Sequence, residues 1–317
     1  MPELPEVQTI VNDLNKKVVG RRIMGVWFDW PKMLHANSAR SAKASRNAKA
    51  PMRIKIIKGG PSAKFFEKSI KRKKILGVRR RAKNILFSLG GDLMMLIHLK
   101  MTGHLLIGKW QIVNGKKAVP IEPKEVVEDP YNQYIHLIFY LDDGRMIGFS
   151  DVRKFGKVVL GTKEQIENLP ELKNLGPEPL DKNFNFGKFK EALRQAQGKK
   201  IKQALIDPEV IAGIGNIYSD DILWTAKIHP FKPGNKLSGK ELKELWSATK
   251  KVLTKALRLR GTSYSDYRDT AGKEGYYADY RLVYQREGES CQRCKTKIKR
   301  VKIGGRSAHF CPTCQKL

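Results

Sequence analysis

Cysteine is missing from this 317-residue chain until residue 291. All four cysteines lie in the last 27 residues, which excludes a disulfide framework and points to a local metal site. Acidic residues are also scarce: 31 Asp and Glu face 62 Lys and Arg, a formal net charge of +31. A balance that basic points to a polyanionic partner, most commonly nucleic acid, although ribosomal and membrane-surface proteins share it. Charge therefore selects a class of partner and no reaction. There is no apolar run of about eighteen residues and no signal-peptide pattern, so a soluble, cytoplasmic chain without a membrane partner is expected. With 41% hydrophobic residues the chain is long enough to build two or three cores.

Acid is rarest between Lys32 and Lys83, where eighteen Lys or Arg accompany one acid, Glu67, for a net +17. Within this stretch Ala36 to Lys49 is an Ala/Ser/Lys/Arg run without apolar period. It reads as a basic loop, serving either as an extra DNA-backbone contact or as a solvated insertion.

The remaining sequence predicts an α+β multidomain protein. Val7, Ile10, Val11, Leu14 and Val18 recur at helical spacing, with Gly20 as a stop. Strands are predicted at Arg22–Trp30, Asn84–Leu89 and Leu93–Leu99. A further pair, 134–141 and Met146–Phe149, is joined by a turn at Asp143-Gly144. This succession implies an N-terminal β-sandwich with flanking helices over residues 1–160. A Pro/Gly-bearing hinge follows at 161–180, then a helical domain at 181–285. Helices are predicted there at Asn185–Ala196, Lys199–Ile206, Ile217–Ala226 and Ser238–Arg260. Ile211 to Asp221 joins two of them through closely spaced glycines. Such a turn lets backbone N–H groups approach a phosphate at a helix N-terminus, though packing alone could also demand the glycines.

Residues 286–317 carry the sharpest local signal. Cys291-x2-Cys294 and Cys311-x2-Cys314 are separated by sixteen residues, the spacing of a zinc ribbon. Four thiolates suit one tetrahedral, structural Zn2+ with no open position; two redox Cys-x-x-Cys pairs are the alternative.

At the other end stands Met1-Pro2-Glu3-Leu4-Pro5-Glu6-Val7. If Met1 is removed, Pro2 exposes a secondary α-amine. An α-amino group titrates near 7.7–8.0 and a lysine near 10.4, so at pH 7 roughly a tenth of the former is unprotonated and under a thousandth of the latter. A secondary amine attacking a sugar C1′ gives an iminium ion, an electron sink for eliminations, and Glu3 stands beside it as an acid or base. The alternative is a plain helix start, with Pro5 in its first turn and Glu3 and Glu6 favouring its positive end.

This segment resembles the N-terminus of the formamidopyrimidine-DNA glycosylases, bacterial base-excision repair enzymes that remove 8-oxoguanine, and further matches extend to the last ten residues. The resemblance implies a bifunctional DNA glycosylase and AP lyase for oxidised purines in double-stranded DNA, cutting the strand by β,δ-elimination. It implies a monomer in the cytoplasm, associated with the nucleoid when bound to DNA. Pro2 would be the nucleophile, with Glu3 assisting ring opening. Lys83 would reach the backbone at the lesion and act in β-elimination, while Glu6 and His98 would position groups around the centre. Met101, Arg153 and Phe155 match the three side chains that fill the void left by a flipped base. The segment Ile201 to Pro230 looks like the family's helix-two-turn-helix, with Asn216 gripping a phosphate. Arg306, after Gly304-Gly305 at the tip of the zinc hairpin, would serve δ-elimination, and Thr262 to Tyr277 would form a loop over the flipped base. The basic insertion departs from the family. The alternatives are the related endonuclease VIII type, which favours oxidised pyrimidines, and an inactive DNA-binding homologue.

Overall fold

The computed structural model describes residues 1–36, 54–55, 61–196, 198–264 and 266–317. The expectation for the basic insertion at 36–60 falls almost wholly outside these residues. The chain divides into two compact units. The first comprises Met1–Pro2, Glu6–Lys173 and Thr262–Gly275; the second comprises Glu3–Pro5, Asn174–Gly261 and Tyr276–Leu317.

Helix α1 (Leu4–Lys17) carries the predicted apolar stripe, and Val7, Ile10 and Leu14 are wholly buried. The strands of the first unit are β1 (Ile23–Phe28), β2 (Leu34–Ala36), β3 (Ile54–Lys55), β4 (Ile75–Arg81), β5 (Asn84–Leu89), β6 (Leu93–His98), β7 (His104–Val113), β8 (Lys117–Glu122), β9 (Ile135–Leu141), β10 (Met146–Ser150) and β11 (Lys157–Thr162). They form a five-stranded sheet, β1-β9-β10-β7-β8, and a six-stranded sheet, β3-β2-β11-β6-β5-β4. One core joins their facing sides, with Ile85, Phe87, Met95 and Ile97 from one sheet and Leu105, Leu137, Phe139 and Phe149 from the other. The expected sandwich is therefore present, because alternate residues of each strand turn inward.

The features that were not anticipated include the following three. Helix α2 (Pro61–Ile70) forms within the basic stretch, burying Phe66 and Ile70 one turn apart. A strand, β4, ends in Arg79 to Arg81, and Ala82 and Lys83 form the tight turn between it and β5. Finally, the polar segment Thr262–Gly275 packs with the first unit. Asp13 Oδ2 accepts from Thr270 Oγ1 at 3.0 Å, and Ile107 N–H donates to Thr270 O at 2.8 Å.

His104 is buried in this unit, its Nε2 3.0 Å from Asn132 Oδ1. Burial pushes its pKa down to about 4, against the opposing hydrogen bonds of Asn132 and Thr102. The unfolded chain then binds a proton between pH 6.5 and about 4 that the folded chain refuses, so stability falls as pH falls through that window. Replacing His104→Gln should flatten the dependence of unfolding free energy on pH there by up to about 1.4 kcal/mol per unit. Denaturant titrations at several pH values check this; identical slopes for parent and variant would contradict it.

The linking helices α3 (Lys124–Glu128), α4 (Lys163–Glu167) and α5 (Pro170–Lys173) close the first unit. In the second unit α6 (Phe186–Gln195), α7 (Ile201–Ile206), α8 (Asn216–Thr225) and α9 (Gly239–Arg258) surround a core that includes Leu4, Phe189, Leu205, Tyr218 and Leu253. Asn185 caps α6, and Ser238 with Glu241 forms a capping box on α9, so both helices begin one residue after their predicted starts. The chain ends in a hairpin of β12 (Lys299–Ile303) and β13 (Arg306–Phe310). Among the described residues no helix is long and apolar enough to cross a membrane.

Candidate active site and metal centre

Pro2 is buried, whereas Met1 is exposed. The next residue, Glu3, is 2% exposed and its carboxylate sits on the N-terminus of α8. Its Oε2 accepts from Gly215 N–H at 2.8 Å and its Oε1 from Ile217 N–H at 3.0 Å, with Tyr218 N–H at 3.5 Å from Oε2. Amides at the positive end of the helix thereby gain an anionic acceptor. The glycine at 215 is required for this approach. A Cβ there would lie 2.3 Å from Glu3 Cδ, so no other residue fits while Glu3 keeps its place. Asn216, the first residue of α8, follows directly.

Glu6 takes a different role from the one its neighbour suggests. Its buried carboxylate accepts from Thr262 N–H at 2.7 Å, which ties the start of the 262–275 segment to α1.

In the first unit the remaining predicted residues gather at one end of adjoining strands. Asn84 pairs with His98, and His98 pairs with Lys157, across β5, β6 and β11. Lys83 occupies the turn just before Asn84 and is half-buried. His98 Nδ1 accepts from Lys100 N–H at 2.9 Å, which leaves Nε2 to carry the proton of a neutral ring. Burial, reinforced by the charges of Lys100, Lys83 and Lys157, pushes the His98 pKa down to about 3. The ring is thus a neutral donor beside a cluster of lysines.

Met101 lies in the β6–β7 turn, and Arg153 and Phe155 lie in the loop before β11. All three side chains are exposed, Phe155 at 54%. The Arg153 guanidinium stacks over the Phe155 ring at 4.8 Å. One buried carboxylate, that of Asp151, holds both loops: it accepts from Thr102 Oγ1, from Arg153 N–H at 3.3 Å and from Gly156 N–H at 2.7 Å. Nothing local in the sequence marks Asp151 for this role. Its partner Thr102, 49 residues away, leaves no local trace.

A second residue that the sequence concealed is Lys202, fully buried on α7. Its Nζ donates to Asn216 O at 3.1 Å, Ser219 Oγ at 2.8 Å and Asp220 Oδ1 at 2.6 Å. Asp220 Oδ2 in turn accepts from His309 N–H at 2.9 Å and Nδ1–H at 3.0 Å. A buried ammonium is tolerated because its three acceptors include a carboxylate.

Arg306 is exposed at the first position of β13, directly after the Gly304-Gly305 turn. A Cβ on Gly304, whose φ is +55°, would meet Gln203 Nε2 at 2.4 Å. The four cysteines converge behind the hairpin, their sulfurs all within 4.8 Å of one another, with Cys291–Cys314 at 3.9 Å and Cys294–Cys311 at 3.4 Å. Tetrahedral Zn–S bonds of about 2.3 Å place sulfurs about 3.8 Å apart, so this cage fits Zn2+. Convergence of both knuckles on one point also disfavours two separate redox pairs.

Three family profiles match the chain. They are the formamidopyrimidine-DNA glycosylase N-terminal domain over residues 1–51 and 39–158, the H2TH domain of the same enzymes over 175–268, and the zinc finger found in FPG and IleRS over 288–317. Formamidopyrimidine-DNA glycosylase from Chloroflexus aurantiacus is 37% identical, with 99% of this chain and 98% of the relative covered. That from Herpetosiphon aurantiacus is 34% identical over 99% and 100%. Among solved structures, a complex between Lactococcus lactis Fpg and DNA containing an abasic site superposes with a TM-score of 0.78 at 31% identity, covering 99% of this chain and all of that one. A Lactococcus lactis mutant bound to Fapy-dG DNA gives 0.77 at 32%.

Proposed function

Since this chain belongs to the formamidopyrimidine-DNA glycosylase family, we propose that its N-terminal Pro2, freed of Met1, is the nucleophile with which it excises oxidised purines and then cuts the strand. It is a DNA glycosylase of base-excision repair with one structural zinc held by Cys291, Cys294, Cys311 and Cys314. It acts as a monomer on double-stranded DNA in the cytoplasm, at the nucleoid.

The chemistry follows from the secondary amine. The Pro2 nitrogen forms a bond to C1′ as the glycosidic bond breaks, and the base leaves with a proton. The sugar ring opens with Glu3 assisting, and the iminium that results acidifies C2′–H. Loss of that proton expels the 3′ phosphate, with Lys83 beside the leaving oxygen. A second elimination, with Arg306 at the phosphate, expels the 5′ side. Glu6 and His98 position groups around the centre, His98 offering its Nε2–H to a backbone oxygen. Asn216 grips a phosphate at the N-terminus of α8, where helix charge favours anions. Met101, Arg153 and Phe155 fill the space that the extruded nucleotide vacates. The observation that carries this reading is the placement of Glu3: a buried carboxylate peptide-bonded to Pro2 and pinned by the amides of the turn that bears Asn216.

The test is a cleavage assay on duplexes containing 8-oxoguanine or an oxidised pyrimidine. Preference for the purine with β,δ-products is expected. Preference for the pyrimidine would favour the endonuclease VIII reading, and binding without base release the inactive one.

Asp151→Ala should expose the role of the paired loops. It strands the Gly156 amide and removes the acceptor of the Thr102 hydroxyl, which then keeps only the Arg153 N–H at 3.1 Å, at a cost of about 1–3 kcal/mol. Excision should fall further than affinity for undamaged duplex. Equal losses in the two would contradict a role in holding the extruded state.

A further inference from the structure

Helix α8 carries more than the phosphate-binding turn: three of its side chains reach the C-terminal part of the second unit. Asp220 takes His309 of β13. Asp221 accepts from Tyr277 Oη–H at 2.9 Å and from the N–H groups of Leu282 and Val283 at 3.1 and 3.0 Å. The third is Trp224, near the end of the helix, which is 8% exposed. Its indole Nε1–H points at Cys291 Sγ, 3.4 Å away. The ring is clamped on its other side by Arg293, whose guanidinium stacks at 4.0 Å and donates to Trp224 O at 3.2 Å. Arg293 also sends its own backbone N–H to Cys291 Sγ at 3.4 Å. Cys291 thus receives N–H donors from its own knuckle and from α8. Trp224 and Cys291 further share a small apolar cluster with Val283, Ile298 and Cys311, which excludes water from the sulfur.

We infer that Trp224 is a positioning residue of the metal centre: its indole N–H holds the Cys291 thiolate in the geometry that Zn2+ requires and fastens the zinc knuckle to the helix that begins at Asn216. A zinc-bound thiolate carries excess negative charge. An N–H donor spreads that charge and keeps the sulfur from dissociating when a competing chelator approaches. Hydrogen-bonding partners of metal ligands typically contribute 10–100-fold to metal affinity. An apolar ring in the same place would fill the space without that effect.

Trp224→Phe makes this distinction, since phenylalanine keeps an aromatic face for Arg293 and removes only the donor and part of the ring. Zinc transfer from the full-length protein to a chromogenic chelator should then be at least about tenfold faster. In the cobalt-substituted protein the thiolate-to-metal charge-transfer band should shift while the tetrahedral ligand-field bands persist. Unchanged release and an unchanged cobalt spectrum in a folded variant would overturn the inference. If the variant does not fold, the wild-type protein supplies the measurement. With cadmium-113 in place of zinc, the Trp224 indole proton should exchange slowly and show scalar coupling to the metal through sulfur. An indole proton that exchanges freely and shows no coupling would equally overturn it.

Discussion

Glu3→Gln is expected to lower base excision roughly a hundred- to ten-thousand-fold, the range of a lost general acid or base, with much smaller losses in duplex affinity. The structure adds a second reason for a large effect. Both Glu3 oxygens accept from amides at the start of α8, Gly215 N–H at 2.8 Å and Ile217 N–H at 3.0 Å, and an amide can present only one acceptor to two N–H groups facing it. The other end of the glutamine would bring a donor against a donor. Gly215→Ala should act through the same carboxylate, because its Cβ would stand 2.3 Å from Glu3 Cδ and push it off the helix. Single-turnover excision with thermal unfolding alongside checks both. Should a folded Glu3→Gln protein excise at the parental rate, the carboxylate is only a helix anchor.

Zinc removal is the second large effect. Binding of structural zinc in small fingers is worth on the order of 10–16 kcal/mol, far more than a two-stranded hairpin supplies or than the His309–Asp220 bonds that also fasten β13 to α8. Stripping the metal should release β12 and β13, remove Arg306 from use and abolish high-affinity binding to lesion duplex. The first unit should stay folded on its own core of Phe87, Met95, Leu105 and Phe149. If Arg306 touches a phosphate, the slope of log affinity against log salt should also fall by about 0.9. Circular dichroism with binding isotherms at several salt concentrations provides the test. Parental affinity in demonstrably zinc-free protein would contradict the assignment.

How much of this was legible in the sequence depended on how far apart the interacting residues lie. The stripe of Val7, Ile10 and Leu14 and the two Cys-x-x-Cys knuckles are local patterns, and both are present as expected. Helix α2 was hidden because eighteen basic residues drowned the one spacing that announced it, Phe66 and Ile70 four apart. Thr262 to Tyr277 was expected as a loop over the flipped base, and the polar composition of 262–275 gave no sign of its packing. Its burial depends on Glu6 and Asp13, more than 250 residues earlier, whose carboxylates satisfy Thr262 and Thr270. Asp151, Lys202 and Trp224 were silent for the same reason. A lone aspartate, one lysine among many and a tryptophan on a helix acquire roles only when Thr102, Asp220 and Cys291 are brought beside them. The motifs pointed to the chemistry, and the positions of its supporting groups came from tertiary structure.

The central claim is that the reaction runs through the nitrogen of Pro2. It is tested most directly by incubating the protein with lesion duplex and borohydride, then mapping the protein–DNA adduct by peptide mass spectrometry. The reduced linkage should fall on Pro2 in chains that have lost Met1, with none on chains that retain it. Pro2→Gly should still trap, more weakly, through its primary amine. A crosslink recovered on Lys83 or any other lysine, or base release with no adduct at all, would contradict the account.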